Sequence, residues 1–182
     1  EFGENSSVGL RTLGGGKQTG ENKCSDSTSE LDLAAVDKDK FNKAVDTLQP
    51  GGDSPITFAL SEAASALGTS GQRRIILVAD TKESCEADPC AKVKELMTGG
   101  LQVDIVGISP DTSSRDQFQC IAEAGGGSYY EVSEPSALTS VLTRLAGLTQ
   151  LPAAAGGTAV AGSDSVDSAP SLGAGSYSEG LS

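Results

Sequence analysis

The spacing of apolar residues switches repeatedly between the two-residue period of strands and the three- to four-residue period of helices. Leu31 and Leu33 alternate with polar residues and predict a half-buried strand over residues 29–35, and a short strand is predicted over 8–13. Asp37 stands where a helix N-cap is expected. The apolar positions of that helix are Phe41, Ala44, Val45 and Leu48.

From residue 54 onward the alternation is regular. The predicted helices begin near residues 54, 88, 113 and 135, and the predicted strands cover 74–79, 103–108 and 129–132. The strands at 74–79 and 103–108 are continuous apolar runs, as expected when both faces of a strand are covered. Strict alternation of strand and helix predicts an α/β fold, a doubly wound and mostly parallel sheet with helices on both faces.

The chain divides into three segments by composition. Residues 1–147 carry the alternating pattern and form the predicted domain. Residues 148–172 are rich in Gly, Ala and Ser and cannot bury enough apolar surface to offset their ordering entropy, so a disordered linker is predicted there. Residues 173–182 have a weak pattern compatible with the start of a further domain.

Charge and the absence of histidine exclude several classes of function. The chain has 25 acidic and 13 basic residues and a net charge of −12, which repels phosphate backbones and argues against nucleic acid as a partner. It contains no histidine, which removes Ser-His-Asp and Cys-His catalysis and the usual general base near neutral pH. We therefore expect a binding protein and not an enzyme. No apolar run reaches the ~18 residues that span a bilayer, so membrane insertion is not expected.

The four cysteines indicate disulfides. Their number is even and no Cys-x-x-Cys pair is present, which favours disulfides in an oxidising compartment, and thus a secreted or cell-envelope protein, over a four-cysteine zinc site. Cys85 and Cys90 are close in sequence and are predicted to form one bridge. Cys24 and Cys120 then pair by elimination.

The candidate site lies where parallel strands end, because ligands of doubly wound sheets bind at that edge. The loop Ser54-Pro55-Ile56 and the strand end Leu77-Val78-Ala79-Asp80 resemble the Gly-x-Thr-Pro-Ile loop and the Leu-Val-Thr-Asp-Gly strand end of the von Willebrand factor A family. The segments 8–11, 103–108 and 126–130 follow in that family's order. The Cys-x₄-Cys after Asp80 is similar to a secreted bacterial branch of the family.

The resemblance implies a metal-dependent protein-binding module. Ser54 and Asp80 would supply a hydroxyl and a carboxylate to Mg²⁺, which prefers such hard oxygen ligands, and an acidic side chain of a partner protein would complete the coordination. The alternative from the residues themselves is that Ser54 caps the helix that Pro55 begins and that Asp80 is an ordinary turn residue. Glu83, Glu86 and Asp88 form either a calcium site or, more simply, a solvated acidic loop.

The sequence departs from the family at three places that bear on this site. Ser54 replaces the family's threonine, which keeps the hydroxyl. Thr81 replaces the glycine after the aspartate. The family's Asp-x-Ser-x-Ser loop and the strand before it have no counterpart, and in the family that strand lies between the strands that match Val8 and Ile75. We therefore expect exposed strand edges and a need for a complementing strand. A degenerate, metal-free site in a structural or assembly module of the cell envelope is the second hypothesis.

Overall fold

The described part of the chain, residues 6–15 and 20–148 of a computed structural model, alternates strands and helices in the predicted order. The strands β1 to β5 span Ser7–Leu13, Ser27–Ala35, Arg73–Ala79, Leu101–Ile108 and Gly126–Val132. The helices α1 to α5 span Lys38–Asp46, Ile56–Leu67, Pro89–Leu96, Thr112–Ala124 and Pro135–Leu148, and a 3-10 helix covers Gly20–Ser25. The predicted linker beyond Leu148 and the segment 173–182 lie outside the described residues.

Strands β3, β4 and β5 form a parallel sheet with β4 in the centre. Ile75 and Leu77 of β3 pack into one core with α2, α3 and α4, whereas Ile76 packs into a second core with α5. Because side chains alternate along a strand, these cores lie on opposite faces. The α/β prediction of a parallel sheet with helices on both faces is confirmed.

Strands β1 and β2 form a separate antiparallel pair, which no strand joins to β3 within the described residues. Helix α2 contacts β1, β2 and β3 and so bridges the two sheets. Leu13 at the end of β1 packs against the core of the larger sheet. The gap between β1 and β3 lies where the resemblance places the missing strand. Val78 of β3 is 38% exposed.

A buried carboxylate ties the three parallel strands together. Asp104 on β4 is 1% exposed, accepts a hydrogen bond of 2.9 Å from the backbone N–H of Ser128, and lies 3.3 Å from Nε of Arg74. Burial raises the pKa of Asp104, while the Ser128 bond and the Arg74 charge act in the opposite direction. A polar group this deep is tolerated because it is paired.

The structure corrects the predicted disulfide pairing. Cys24 pairs with Cys85 and Cys90 pairs with Cys120, with Cα separations of 5.6 and 5.8 Å that are usual for disulfides. Both predicted bridges, Cys85–Cys90 and Cys24–Cys120, are therefore wrong. The reason is that Cys90 lies in the first turn of α3, which packs beside α4 and its Cys120, whereas Cys85 precedes that helix and faces the 3-10 helix.

Candidate functional site

The carboxyl edge of the sheet brings Ser54 close to the loop that follows β3. The Ser54 hydroxyl is 2.9 Å from the Thr81 hydroxyl. The backbone N–H of Ser54 donates to the Ser84 hydroxyl at 2.8 Å, and the N–H of Ser84 donates to the Ser54 carbonyl at 3.2 Å. Asp80 lies next to Thr81 and is exposed. The two predicted site residues thus occupy one edge, with Thr81 and Ser84 as neighbours that were not predicted as site residues.

Ser54 does not cap α2, so the alternative role considered for it is wrong. The helix has Pro55 at its N-cap, with no side-chain hydrogen bond from that position and no acidic residue in its first turn. Glu83 supplies the acceptor instead, because its carboxylate accepts hydrogen bonds from the backbone N–H of Thr57 at 2.6 Å and of Cys85 at 2.9 Å. The uncapped, apolar start of α2 was the signal in the sequence that an acceptor had to come from elsewhere.

The loop after β3 is also fixed to the start of α4. The N–H of Lys82 donates to the Ser114 hydroxyl at 3.0 Å, and the N–H of Glu83 donates to the Gln117 side chain at 2.7 Å. Asp111 caps α4 by accepting from the N–H of Ser114 at 2.7 Å, and this bond is the main reason why the pKa of Asp111 is lowered. The loop after β3 is therefore held on two sides, by the N–H of Thr57 at the start of α2 and by the side chains of Ser114 and Gln117 on α4.

The predicted acidic cluster does not act as one site. Glu83 is buried and caps α2, while Asp88 caps α3 by accepting from the N–H of Ala91 at 3.0 Å. Glu86 is exposed. Across the described ranges, no group of three or more His, Cys, Asp or Glu side chains is arranged to hold a metal ion.

Three oxygen donors remain available for a cation at the edge. The hydroxyls of Ser54 and Thr81 lie side by side, and the exposed Asp80 carboxylate makes no hydrogen bond or ion pair with any residue that the structure describes. Neighbouring oxygens around octahedral Mg²⁺, each at ~2.0–2.1 Å from the ion, lie about 2.9 Å apart. The 2.9 Å between the two hydroxyl oxygens is both an ordinary hydrogen-bond length and the spacing of neighbouring Mg²⁺ ligands, so the pair is compatible with a largely hydrated ion.

Comparisons with known proteins identify the fold. No protein-family model matches the chain. The chain is 27% identical over 113 residues to the uncharacterized protein YwmC of Bacillus subtilis (strain 168), in an alignment that covers 60% of this chain and 50% of that protein. A solved structure of a von Willebrand factor type A protein from Catenulispora acidiphila matches with a TM-score of 0.68 at 16% identity, covering 81% of this chain and 34% of the other. The chain therefore has a von Willebrand factor A-type fold and spans about half the length of YwmC.

Proposed function

We propose that this chain is a protein-binding module of an exported protein, and that its partner binds at the carboxyl edge of the sheet through Mg²⁺. Ser54, Thr81 and Asp80 would hold the ion, and an acidic side chain of the partner would be a further ligand. The observation that carries this proposal is the pair of hydroxyls 2.9 Å apart, one of them on Thr81, which directly follows the exposed, unpaired Asp80 in sequence. The absence of histidine from the sequence favours binding over catalysis.

The position of the edge also supports this role. Loop residues at the carboxyl ends of parallel strands are exposed, while the strands behind them are rigid, and such a combination suits recognition. Two disulfides are typical of proteins in oxidising compartments, which supports export. None of the helices over residues 20–148 is long and apolar enough to cross a membrane.

The test is Mg²⁺ binding by calorimetry together with urea unfolding. Three protein donors predict weak binding, in the millimolar range. At ten times its dissociation constant, a ligand bound only by the folded state raises the free energy of unfolding by about 1.4 kcal/mol. We expect this rise in the wild type and not in Asp80→Asn or Ser54→Ala. Asp116→Asn, which changes an exposed aspartate on α4, is the matched control and should keep the effect.

A second candidate is a structural or assembly module with a metal-free site. The observation that favours it is that the Ser54 and Thr81 hydroxyls already satisfy each other through a hydrogen bond, with one carboxylate nearby. In that case Mg²⁺ would give no saturable heat up to about 10 mM, and Asp80→Asn would behave like Asp116→Asn. Binding of extracellular or envelope proteins would then be insensitive to chelators.

A further inference from the structure

A cavity of about 250 Å³ lies beside the first turn of α2 and the loop that follows β3. Its lining includes Cys24, Cys85, Phe58, Ala87, Thr57 and Glu83. The Cys24–Cys85 bridge, the Phe58 ring and the Ala87 methyl group give it mainly apolar walls. Its volume is below the ~300–1,000 Å³ of pockets for drug-sized ligands, so it suits one side chain and not a whole cofactor.

Glu83 is a buried carboxylate without a cation. It is 8% exposed, and its two hydrogen bonds come from uncharged backbone N–H groups of Thr57 and Cys85. No lysine or arginine in the described part of the chain forms an ion pair with it. Removing a charge from water is costly, and the N-terminus of α2 that Glu83 caps offsets only about half of a unit charge, so the carboxylate still attracts a cation.

Thr57 adds an unpaired hydroxyl to the same cavity. Its Oγ1 is buried and has no hydrogen-bond partner among the residues that the structure describes. Buried hydroxyl groups normally have a hydrogen-bond partner, so an unpaired one is compatible with a ligand group that supplies the partner. The cavity therefore combines the Glu83 carboxylate and the Thr57 hydroxyl with mainly apolar walls, and the Ser61 hydroxyl, which donates to the Thr57 carbonyl at 2.8 Å, completes its polar lining.

We infer that this cavity binds a primary alkylammonium group, and specifically the lysine side chain of a partner protein. An ammonium group donates three hydrogen bonds, and its positive charge would pair with the Glu83 carboxylate. The four-carbon stem of lysine would lie along the disulfide and the Phe58 ring, as apolar stems commonly do. The net charge of −12 favours a basic partner segment.

This inference goes beyond the proposed function, because it requires no Mg²⁺ and uses other residues. The two sites are adjacent through Ser84, which follows Glu83 and hydrogen-bonds to Ser54. One partner segment could thus reach both. The two proposals fail separately: Asp80→Asn should leave amine binding within twofold of the wild type, whereas it should abolish the Mg²⁺ effect.

The experiment is an NMR titration of the full chain with n-butylammonium chloride, which is the lysine side chain as a free ligand. The reporters are the amide signals of Thr57 and Cys85, the groups that donate to Glu83. Saturable shifts in the millimolar range are expected, with none from sodium chloride at equal ionic strength or from neutral 1-butanol. Absence of saturable shifts at these two amides up to about 100 mM would overturn the inference.

Variants separate the cavity from general surface charge. Glu83→Gln should weaken amine binding about tenfold or more, because hydrogen bonds to charged groups contribute on the order of 1.4 kcal/mol or above. Glu86→Gln, at an exposed site three residues away, should leave it unchanged. Equal weakening in both variants would indicate nonspecific attraction and would refute the site.

A second variant covers the case in which Glu83→Gln does not fold. Thr57→Val keeps the side-chain shape and removes the unpaired hydroxyl, so it should weaken amine binding several-fold without loss of stability. Unchanged binding in Thr57→Val would contradict the assigned ligand position. Nα-acetyl-lysine methylamide, which has the same charge as n-butylammonium, should bind at least as tightly as that ion. Weaker binding of the lysine derivative would overturn the assignment to a protein lysine.

Discussion

The disulfide pairing can be tested directly by removing cysteines in two different pairs. In the structure, the double variant Cys24→Ala/Cys85→Ala loses one bridge and keeps Cys90–Cys120 intact. If the pairing expected from sequence spacing were right, the same variant would break both bridges and leave two free thiols. The variant Cys85→Ala/Cys90→Ala reverses these expectations, so each variant serves as the control for the other.

The expected magnitudes follow from the loops that the bridges close. The sequence separations are 61 residues for Cys24–Cys85 and 30 for Cys90–Cys120. The loop-entropy relation gives about 4.3 and about 3.6 kcal/mol for these two, and about 2 kcal/mol for a Cys85–Cys90 loop of about five residues. Cys85→Ala/Cys90→Ala should therefore cost about 8 kcal/mol, instead of about 2, and a domain of ordinary stability would be largely unfolded.

The assay combines thiol counting with unfolding. The variants are produced under oxidising conditions, alkylated in denaturant and weighed by mass spectrometry, and the free energy of unfolding is measured in urea. Cys24→Ala/Cys85→Ala should show no alkylated thiol and a loss of about 4 kcal/mol. Two alkylated thiols in that variant, with none in Cys85→Ala/Cys90→Ala, would refute the pairing in the structure.

Two further predictions concern the strand pair and pH. Gly14 has a φ of +62°, and a Cβ there would lie 1.7 Å from the carbonyl oxygen of Asp53. Gly14→Ala should therefore lower the free energy of unfolding in urea by about 2–4 kcal/mol. Gly15→Ala is the control and should lower it little, because the space around Gly15 is open. Glu131 accepts two hydrogen bonds from Arg115, which hold its pKa below the ordinary value of 4.5. The pair contributes about 1 kcal/mol to the free energy of unfolding, because it is partly exposed. This contribution is present above pH 4.5 and is lost as the pH falls through the lower pKa of the folded state. The difference in thermal midpoint between wild type and Glu131→Gln should therefore close towards pH ~2.

Much of the fold was predictable because local pattern and tertiary structure agree. The continuous apolar runs in β3 and β4 are buried between two helical layers, and Asp37, Asp88 and the residues before α4 cap the helices that follow them. Helix α1 is the exception in its packing. Its predicted apolar face is only partly buried, and Val45 is 43% exposed. The strand that α1 packs against, β2, belongs to the small separate sheet.

The candidate site was predictable only in position. The rule that ligands bind at the carboxyl ends of parallel strands placed Ser54 and Asp80 at one edge, but it carries no information on which side chains bond to each other. The Ser54–Thr81 hydroxyl pair and the Glu83 cap join residues 27 and 26 positions apart in sequence. The disulfide pairing was predicted wrongly for the same reason. Proximity in sequence does not show that Cys85 lies before α3 whereas Cys90 lies in its first turn, so that the two face different partners.

The loop after β3 is the point where stability and the two proposed binding sites depend on the same groups. Cys85 is held through its sulfur by the bridge to Cys24, and its N–H donates to the Glu83 carboxylate that caps α2. Ser84 between them bonds to Ser54, so the hydroxyl pair is tied to the same short segment. Because the loop is fixed from three sides, its acceptors are preorganised for a ligand and the entropy of ordering them is not lost on binding. The bridge that fastens the small sheet to the domain therefore also sets the geometry of both proposed sites.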